Sequence, residues 1–314
     1  MISLESVTEL YHQPLLSLVF EAQSVHRQYH QTDTVQLCTL SNIKSGRCPE
    51  DCKYCPQSAR YPTEVETYPL LPLDEVIDQA REAKKHGATR FCMGAAWRNA
   101  PDGEEFDRVI QMVEAVAGMG MEACVTMGML RPEQAHRLAK AGLTAYNHNL
   151  DTSESFYPEI ITTRTYRDRL ETIQYVAEAG IQVCCGGIVG MGETDRDRID
   201  LLYTLANLNP QPESVPINAL SAVKGTPFGD LEAIDPLVIV RMVATARVLM
   251  PQAIVRLSAG RDRLSTSDQA LCFLAGANSI FSSEKLLTTA NPDWQEDSIM
   301  FEKLGVKPKD LVSS

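Results

Sequence analysis

Residues 166 to 190 read YRDRLETIQYVAEAGIQVCCGGIVG, and this stretch contains one complete unit of the fold. Its first part has the amphipathic pattern of a helix, and a left-handed helix cap is expected at Gly180. Residues 181 to 190 then have the apolar character of a short buried strand. A helix that ends in glycine and leads into an apolar strand is typical of α/β proteins, so the number of such units decides the architecture.

The same alternation of helix and strand recurs along the whole chain. Further helical patterns, such as DEVIDQAREAKKHG, end at Gly87, Gly120 and Gly142. Eight apolar segments are predicted to be strands, and they span residues 35 to 41, 88 to 94, 121 to 128, 143 to 150, 181 to 190, 214 to 220, 253 to 260 and 278 to 283. Eight such units favour a parallel (β/α)8 barrel of the TIM type, with an open doubly wound sheet as the main alternative.

We expect one large domain with short extensions, because the 314 residues exceed the roughly 250 of a typical barrel domain. Residues 1 to 34 are predicted to form an N-terminal helical extension, residues 35 to 290 the barrel and residues 291 to 314 a C-terminal extension. Barrel enzymes carry out their chemistry at the carboxyl ends of the strands and in the loops that follow them. Functional residues are therefore expected at that end.

The composition argues against several classes of partner. The 29 Lys and Arg against 41 Asp and Glu give a net charge of −12, so neither nucleic acid nor a membrane surface is expected as a partner. The acidic N-terminal segment is broken by Pro14 and predicts neither a secretory signal nor a spanning helix. Nine cysteines are an odd number for a disulfide framework, and in a chain expected to be cytoplasmic they favour metal binding or catalysis.

The segment SGRCPEDCKYCPQSARY, residues 45 to 61, follows the first predicted strand and contains Cys48, Cys52 and Cys55. Three thiolates in one loop suit a soft metal, either zinc or the iron of an iron–sulfur cluster. A structural zinc site needs four ligands, and no second C-x-x-C or H-x-x-x-H pair stands at a suitable spacing. A four-iron cluster held by three cysteines leaves one iron open, which is useful if another molecule binds there.

This loop, with Tyr54 before its last cysteine, resembles that of the radical S-adenosylmethionine superfamily. Within that superfamily the chain is similar to the biotin synthases over nearly its whole length, through RFCMGAAW (90 to 97), YNHNLDT (146 to 152), CCGGIVGMGET (184 to 194), VPIN (215 to 218) and VRLSAGR (255 to 261). The resemblance implies a radical enzyme that inserts sulfur into dethiobiotin by means of a 5'-deoxyadenosyl radical. It also implies an external electron donor of the flavodoxin or ferredoxin type and a homodimer.

The resemblance further implies two iron–sulfur clusters. Cys48, Cys52 and Cys55 would hold a 4Fe-4S cluster whose open iron binds S-adenosylmethionine. A 2Fe-2S cluster that donates the sulfur would be held by Cys92, Cys124, Cys184 and Arg256. Taken singly, a cysteine on an apolar strand is most often a small buried hydrophobe, and an arginine most often hydrogen-bonds carboxylates or sulfides. Cys185 is predicted to face away from Cys184 and to pack, with an exchange of ligand between the two as the alternative.

The segment YNHNLD is predicted to have one polar face, which carries Asn147, Asn149 and Asp151. Asparagine is unusual in a central strand, and its amide suits a ureido ring or a ribose edge. A simple turn after the strand is the alternative. His148 on the other face is interpreted as a structural histidine with satisfied hydrogen bonds rather than as a metal ligand.

The remaining site residues come from the resemblance alone. The contacts to S-adenosylmethionine would come from Tyr54, Met93, Gly94, Ala95, Asn149, Asp151, Arg169 and Ile188. Those to dethiobiotin would come from Asn147, Asn149, Asn218, Thr288 and Thr289.

Overall fold

The computed structural model describes residues 2 to 310 and begins with two helices, α1 (Leu4–Tyr11) and α2 (Leu15–Tyr29). The predicted N-terminal extension is therefore helical over most of its length. Residue 1 and residues 311 to 314 of the two predicted extensions lie outside the described residues. The domain boundaries at residues 34 and 290 stay a prediction.

Nine strand segments form the barrel. They are β1 (Thr34–Lys44), β2 (Arg90–Ala95), β3 (Glu122–Thr126), β4 (Ala145–Asn147), β5 (Gln182–Cys184), β6 (Gly187–Val189), β7 (Ser214–Ala219), β8 (Ile254–Leu257) and β9 (Ser279–Phe281). Neighbouring strands pair in parallel, and β9 pairs with β1, so the sheet closes on itself. The structure is a (β/α)8 barrel, as predicted, and closure excludes the open doubly wound sheet.

Helices connect the strands and cover the outside of the barrel. They are α3 (Leu73–Lys85), α4 (Glu104–Gly118), α5 (Pro132–Lys140), α6 (Tyr157–Ile160), α7 (Tyr166–Glu178), α8 (Asp195–Asn207), α9 (Pro236–Leu249) and α10 (Thr266–Leu274). A short 3-10 helix, Arg261–Arg263, follows β8. The main core lies between these helices and the strands. Within residues 2 to 310, no helix is long and apolar enough to cross a membrane.

Helix α7 shows why these units begin and end where they do. Thr165 caps the start of α7, because its side chain accepts a hydrogen bond from the backbone of Asp168 and the Asp168 side chain bonds back to Thr165. Gly180 follows the end of the helix with a φ of 77°, a left-handed conformation that suits glycine. The predicted glycine stop at this position is confirmed.

The fifth predicted strand is present as two pieces, β5 and β6, which both pair with β7. Gly186 lies between them, and a Cβ atom on it would stand 1.9 Å from the carbonyl oxygen of Pro216. Only glycine allows the two backbones to approach so closely. The break therefore follows from a close approach of two strands at this point.

After the barrel, the chain forms elements that the sequence pattern did not predict. A hairpin of β10 (Lys285–Leu286) and β11 (Thr289–Ala290) crosses the carboxyl end of the barrel. Helix α11 (Trp294–Leu304) follows, and β12 (Lys307–Pro308) then pairs in parallel with the start of β1.

An ion-pair network around a buried arginine closes the amino-terminal end of the barrel. Arg90 is fully buried, and its guanidinium donates to Glu122 Oε2 at 2.7 Å and to Glu213 Oε1 at 3.1 Å. Gln36 donates to Glu122 Oε2 at 3.0 Å, and Ser214 accepts from Arg90 at 3.2 Å. We call these five residues the barrel floor. Because a buried charge without partners is costly, the two carboxylates fix Arg90 in place.

Candidate active site

A cavity of about 300 Å³ opens at the carboxyl end of the barrel, where the chemistry of this fold is expected. Two groups of cysteines border it. We call Cys48, Cys52 and Cys55 the loop thiols, and Cys92, Cys124 and Cys184 the lumenal thiols. All cysteines of the described residues are free of disulfides.

The loop thiols are held in place by a compact turn structure after β1. The backbone N–H of Cys55 donates to the carbonyl of Cys52 at 2.9 Å, and that of Cys48 donates to Gln57 at 3.0 Å. Asp51 fastens the loop to the segment before α7, since it accepts from the backbone of Thr162 at 2.9 Å. Burial raises the pKa of Asp51, but the hydrogen bonds from Thr162 and Thr163 outweigh it and lower this pKa to about 2.

Burial disfavours ionisation of the loop thiols. Burial raises the pKa of Cys52 to about 12 and that of Cys55 to about 11, and it also raises that of Cys48. Arg164, whose Nη2 lies 3.7 Å from Cys52 Sγ, compensates only in part. Thiolates are the form that binds metals, so metal binding would release protons here.

The lumenal thiols lie deeper, on three strands. Cys92 and Cys124 are register partners on β2 and β3, and Cys184 is the partner of Asn147 across β4 and β5. A hydrogen bond between the first two raises the pKa of Cys92 and lowers that of Cys124, as expected where one of two buried thiols ionises first. The structure thus brings the three strand cysteines into one lumen.

Arg256 extends from β8 into the same lumen and is almost fully buried. Its Nη1 lies 3.7 Å from Cys184 Sγ, and its Nε donates to Ser279 Oγ at 2.9 Å. Burial lowers the pKa of Arg256, but coulombic attraction to Cys38 and Cys184 outweighs this effect and raises it. The guanidinium therefore stays charged beside the thiols.

Cys185 is fully buried in the main core outside the lumen, whereas Cys92 and Cys124 belong to a separate group of lumenal side chains. Its backbone N–H donates to the carbonyl of Ser214 at 2.9 Å. Cys185 thus faces away from the cavity, as the alternation of side chains predicts.

The predicted polar face of YNHNLD lines the cavity with Asn147, Asn149 and Asp151. Strand β4 ends at Asn147, and His148, Asn149 and Leu150 follow it outside any regular element. Asn147 donates to Asn149 Oδ1 at 3.2 Å, and the same oxygen accepts from the N–H of Gly186 at 3.1 Å. His148 is buried, but its Nε2 has no hydrogen-bond partner among the described residues, so the prediction of a satisfied histidine is wrong in this respect.

Asp151 is the centre of a buried network that sequence reasoning did not find. It accepts from Tyr54 Oη at 2.9 Å and from Arg169 Nη2, and Arg169 Nε donates to Tyr157 Oη at 3.0 Å. Coulombic attraction to Asp151 outweighs the effect of burial and raises the pKa of Arg169. These four residues come from the loop after β1, the segment after β4 and the helices α6 and α7, and no local pattern relates them.

Most of the other predicted contact residues also border the cavity, namely Gly94, Ala95, Ile188, Asn218, Thr288 and Thr289. Met93 does not, because its side chain is fully buried in the main core. Asn218 uses its amide within the protein, as it donates to the Gly187 carbonyl at 2.9 Å and accepts from the N–H of Ala259 at 3.2 Å. Thr288 and Thr289 lie on the β10–β11 hairpin, beside the cavity mouth.

The two thiol groups fit iron–sulfur clusters better than a single metal ion. Within residues 2 to 310, no three His, Cys, Asp or Glu side chains are arranged to hold one ion. An iron–sulfur cluster distributes its cysteine ligands over several irons, so the thiols surround a volume instead of converging on a point. Soft, buried thiols that border one cavity are a donor set of that kind.

Two family models match the chain. The model of the Radical SAM superfamily matches residues 42–205, and that of the Biotin and Thiamin Synthesis associated domain matches residues 216–307. Together they cover the barrel strands from β2 to β9 and the elements that follow it up to α11.

Curated relatives and solved structures agree with these models. The chain is 66% identical over 307 residues to "Biotin synthase" of Synechococcus sp. (strain JA-3-3Ab), which covers 98% of this chain and 99% of that relative. It is 56% identical over 308 residues to "Biotin synthase, mitochondrial" of Arabidopsis thaliana, with coverage of 98% and 82%. The crystal structure of methylornithine synthase (PylB) superposes with a TM-score of 0.83 at 17% identity over 99% of this chain and 95% of that one, a likeness of fold. The chain therefore belongs to the biotin synthase family, a family of radical S-adenosylmethionine enzymes with iron–sulfur clusters.

Proposed function

We propose that this chain converts dethiobiotin into biotin by inserting one sulfur atom between two carbons of the substrate. The observation that carries the proposal is the presence of two separate groups of three thiols around one cavity, one in the loop after β1 and one on the strands. A single cluster would need only one group. The second group, deep in the lumen, is suited to a sulfur source that must lie close to the substrate.

The loop thiols would hold a 4Fe-4S cluster, and the lumenal thiols with Arg256 would hold a 2Fe-2S cluster. When bound, these clusters and S-adenosylmethionine supply a 5'-deoxyadenosyl radical and the sulfur atom. The protein's part is to deprotonate the thiols, to orient the two small molecules and to exclude water. Arg256, whose Nη1 lies 3.7 Å from Cys184 Sγ, would bind iron only after its guanidinium has lost a proton.

For S-adenosylmethionine, we propose contacts with Tyr54, Asp151 and Arg169, which already form one network, and with Asn149. Asp151 would exchange part of its hydrogen bonding for the ribose hydroxyls, and Arg169 would then be available to a carboxylate. Gly94, Ala95 and Ile188 would supply close backbone or apolar contacts along the wall, and Met93 could contribute only its backbone.

For dethiobiotin, we propose that Asn147, Asn149 and Asn218 position the ureido group and that Thr288 and Thr289 bind the carboxylate at the mouth. The substrate would then extend from the lumen toward the hairpin, with its reacting carbons near the lumenal thiols. A flavodoxin or ferredoxin type of protein would supply electrons. We further propose a homodimer that acts in the cytoplasm without nucleic acid or membrane partners.

The test is an anaerobic assay with reconstituted protein, dethiobiotin, S-adenosylmethionine and a reductant, with biotin and 5'-deoxyadenosine as the measured products. Both products are expected. If S-adenosylmethionine is cleaved but no biotin forms, the proposed substrate is contradicted. The chain would then be a radical enzyme that acts on a different substrate. Absence of both products from protein that has full iron and sulfide content would contradict the proposed reaction as a whole.

A further inference from the structure

A fourth thiol, Cys38, belongs to the same lumen and has no assigned role. It lies on β1, is fully buried and packs in the group of lumenal side chains that also contains Cys92 and Cys124. It lies between Gln36 of the barrel floor and Leu40 of the cavity wall on the inward face of the strand. Cys38 is thus just below the cavity.

Cys38 and Arg256 share two hydrogen-bonding partners. Cys38 Sγ lies 3.5 Å from Ser279 Oγ and 3.7 Å from Gln36 Oε1. The Arg256 guanidinium donates to the same Ser279 Oγ at 2.9 Å and to the same Gln36 Oε1 at 3.3 Å. The thiol and the guanidinium therefore lie side by side, and both approach the lumenal thiols from the floor.

A buried cysteine is often a small packing residue, but the neighbours of this sulfur argue for more. Its two closest polar contacts are an amide oxygen and a hydroxyl, which are also the contacts of the proposed fourth ligand, Arg256. A thiolate is a much better iron ligand than a guanidine, since arginine must first lose a proton that it holds tightly. Four cysteines are also the usual ligand set of a 2Fe-2S cluster.

We propose that Cys38 is a second donor for the fourth ligand position of the lumenal 2Fe-2S cluster and that it binds iron when Arg256 does not. The inference rests on the proposed function, which places that cluster on the lumenal thiols and Arg256. In the exchange, an iron–sulfur bond to Cys38 forms and the iron–nitrogen bond to Arg256 breaks. The proton that the thiol loses is the one that the released guanidine gains, so no oxidant or reductant is needed.

The test compares Arg256→Ala with the double variant Arg256→Ala/Cys38→Ser after anaerobic reconstitution with iron and sulfide. Serine is similar in size and keeps the hydrogen bonds to Ser279 and Gln36, but it is a poor iron ligand. We expect Arg256→Ala to retain the second cluster with two equivalent, all-thiolate irons in its Mössbauer spectrum. The double variant should lose this cluster or show two different irons.

Identical spectra for the two variants, or loss of the second cluster in Arg256→Ala alone, would overturn the inference. Arg256→Ala/Cys272→Ser is the matched control, because Cys272 is a buried thiol on α10, outside the lumen. It should behave as Arg256→Ala does. If the unaltered chain takes up only one cluster, the proposed function fails instead, so the two failures are distinguishable.

Discussion

Burial raises the pKa of Cys55 and Cys272 alike, so it is their position that separates a proposed ligand from a packing residue. The loop thiol of Cys55 has a pKa raised by burial to about 11, and it borders the cavity, so it stays protonated until a metal displaces the proton. Cys272 is also buried, and burial raises its pKa to about 12, but it lies on α10 away from the cavity. The same shift in pKa thus marks a proposed ligand in one place and a packing residue in the other.

Cys55→Ala should abolish cleavage of S-adenosylmethionine, because two remaining thiols cannot hold a four-iron cluster that keeps one iron open. The measurement is 5'-deoxyadenosine formed under reduction, together with iron content, which should fall to that of the second cluster alone. Cys272→Ala should leave both quantities unchanged. Cleavage at the unaltered rate by Cys55→Ala would disprove the role assigned to the loop.

Cys184→Ala should reduce biotin formation and the content of the 2Fe-2S cluster while it leaves the spectrum of the 4Fe-4S cluster unchanged. Cys184 faces the lumen and contacts Arg256, whereas Cys185 packs in the main core. Cys185→Ala is therefore the paired control. It should lower the free energy of unfolding by about 1 to 2 kcal/mol, as expected for a small buried side chain, and it should keep the 2Fe-2S cluster. The reverse pattern would mean that the two cysteines have exchanged roles.

Among single residues, the sequence predicted the thiols better than their surroundings. The spacing of the loop cysteines and the family segments pointed to residues that border one cavity. The pairing of Asp151 with Arg169 and the barrel floor around Arg90 could not be predicted, because their partners come from different strands and helices. Cys38 is one of the nine cysteines of the chain and lies in no motif, and only the closed barrel places it beside Arg256.

Among the strands, β7 lies very close to Gly186, the residue at the break between β5 and β6, so an added side chain there should be destabilising. Gly186→Ala should destabilise the protein by more than about 2 kcal/mol, because its Cβ would stand 1.9 Å from a backbone oxygen that cannot move without separating the strands. Gly118→Ala in α4 is the control, since a Cβ there meets nothing within 4 Å. Gly118→Ala should leave the free energy of unfolding unchanged or raise it by up to about 1 kcal/mol.

Denaturant unfolding of the metal-free variants would measure both changes in the free energy of unfolding. Equal stability of Gly186→Ala and Gly118→Ala would show that β5 and β7 adjust to the added methyl group. In that case Gly186 would not be the cause of the break in the fifth strand.

The elements that sequence patterns predicted are those with a repeated signal. All eight barrel strands are present, because each is a short apolar run, and four of them directly follow a glycine that ends the preceding helical pattern. The helices α1 and α2 fall within the predicted extension. The break at Gly186 could not be predicted, because an apolar sequence has the same pattern whether its residues form one continuous strand or two separate ones. The β10–β11 hairpin and β12 were missed because two-residue strands carry no periodicity.

Across the whole molecule, the two ends of the barrel differ in that one is closed and the other is open. The amino-terminal end is closed by Arg90 between Glu122 and Glu213, and α1 and α2 pack against α8 and α9. The carboxyl end is open and contains the cavity with its two thiol groups. Under the proposed function, the floor would shield reactive intermediates, and small molecules would enter from the side of the hairpin.

Acid should weaken the whole fold through histidines that are buried in the neutral form. Burial, with a smaller effect of Arg247, lowers the pKa of His26 to about 3, and burial also lowers those of His30 and His148. Below pH 6.5 the unfolded chain binds more protons at these sites than the folded chain does, so the free energy of unfolding falls as the pH falls. For His26 this loss continues down to about pH 3 at roughly 1.4 kcal/mol per pH unit.

The metal-free protein should therefore unfold at a lower denaturant concentration at pH 5 than at pH 7.5, where these histidines are neutral in both states. His26→Gln removes one of the three groups, and the decline of the free energy of unfolding with pH should become less steep by the contribution of one proton. The slope is informative even if glutamine packs less well, because a packing defect lowers stability equally at both pH values. An unchanged slope in His26→Gln would mean that His26 is already protonated in the folded chain, which its position beside Arg247 and His30 opposes.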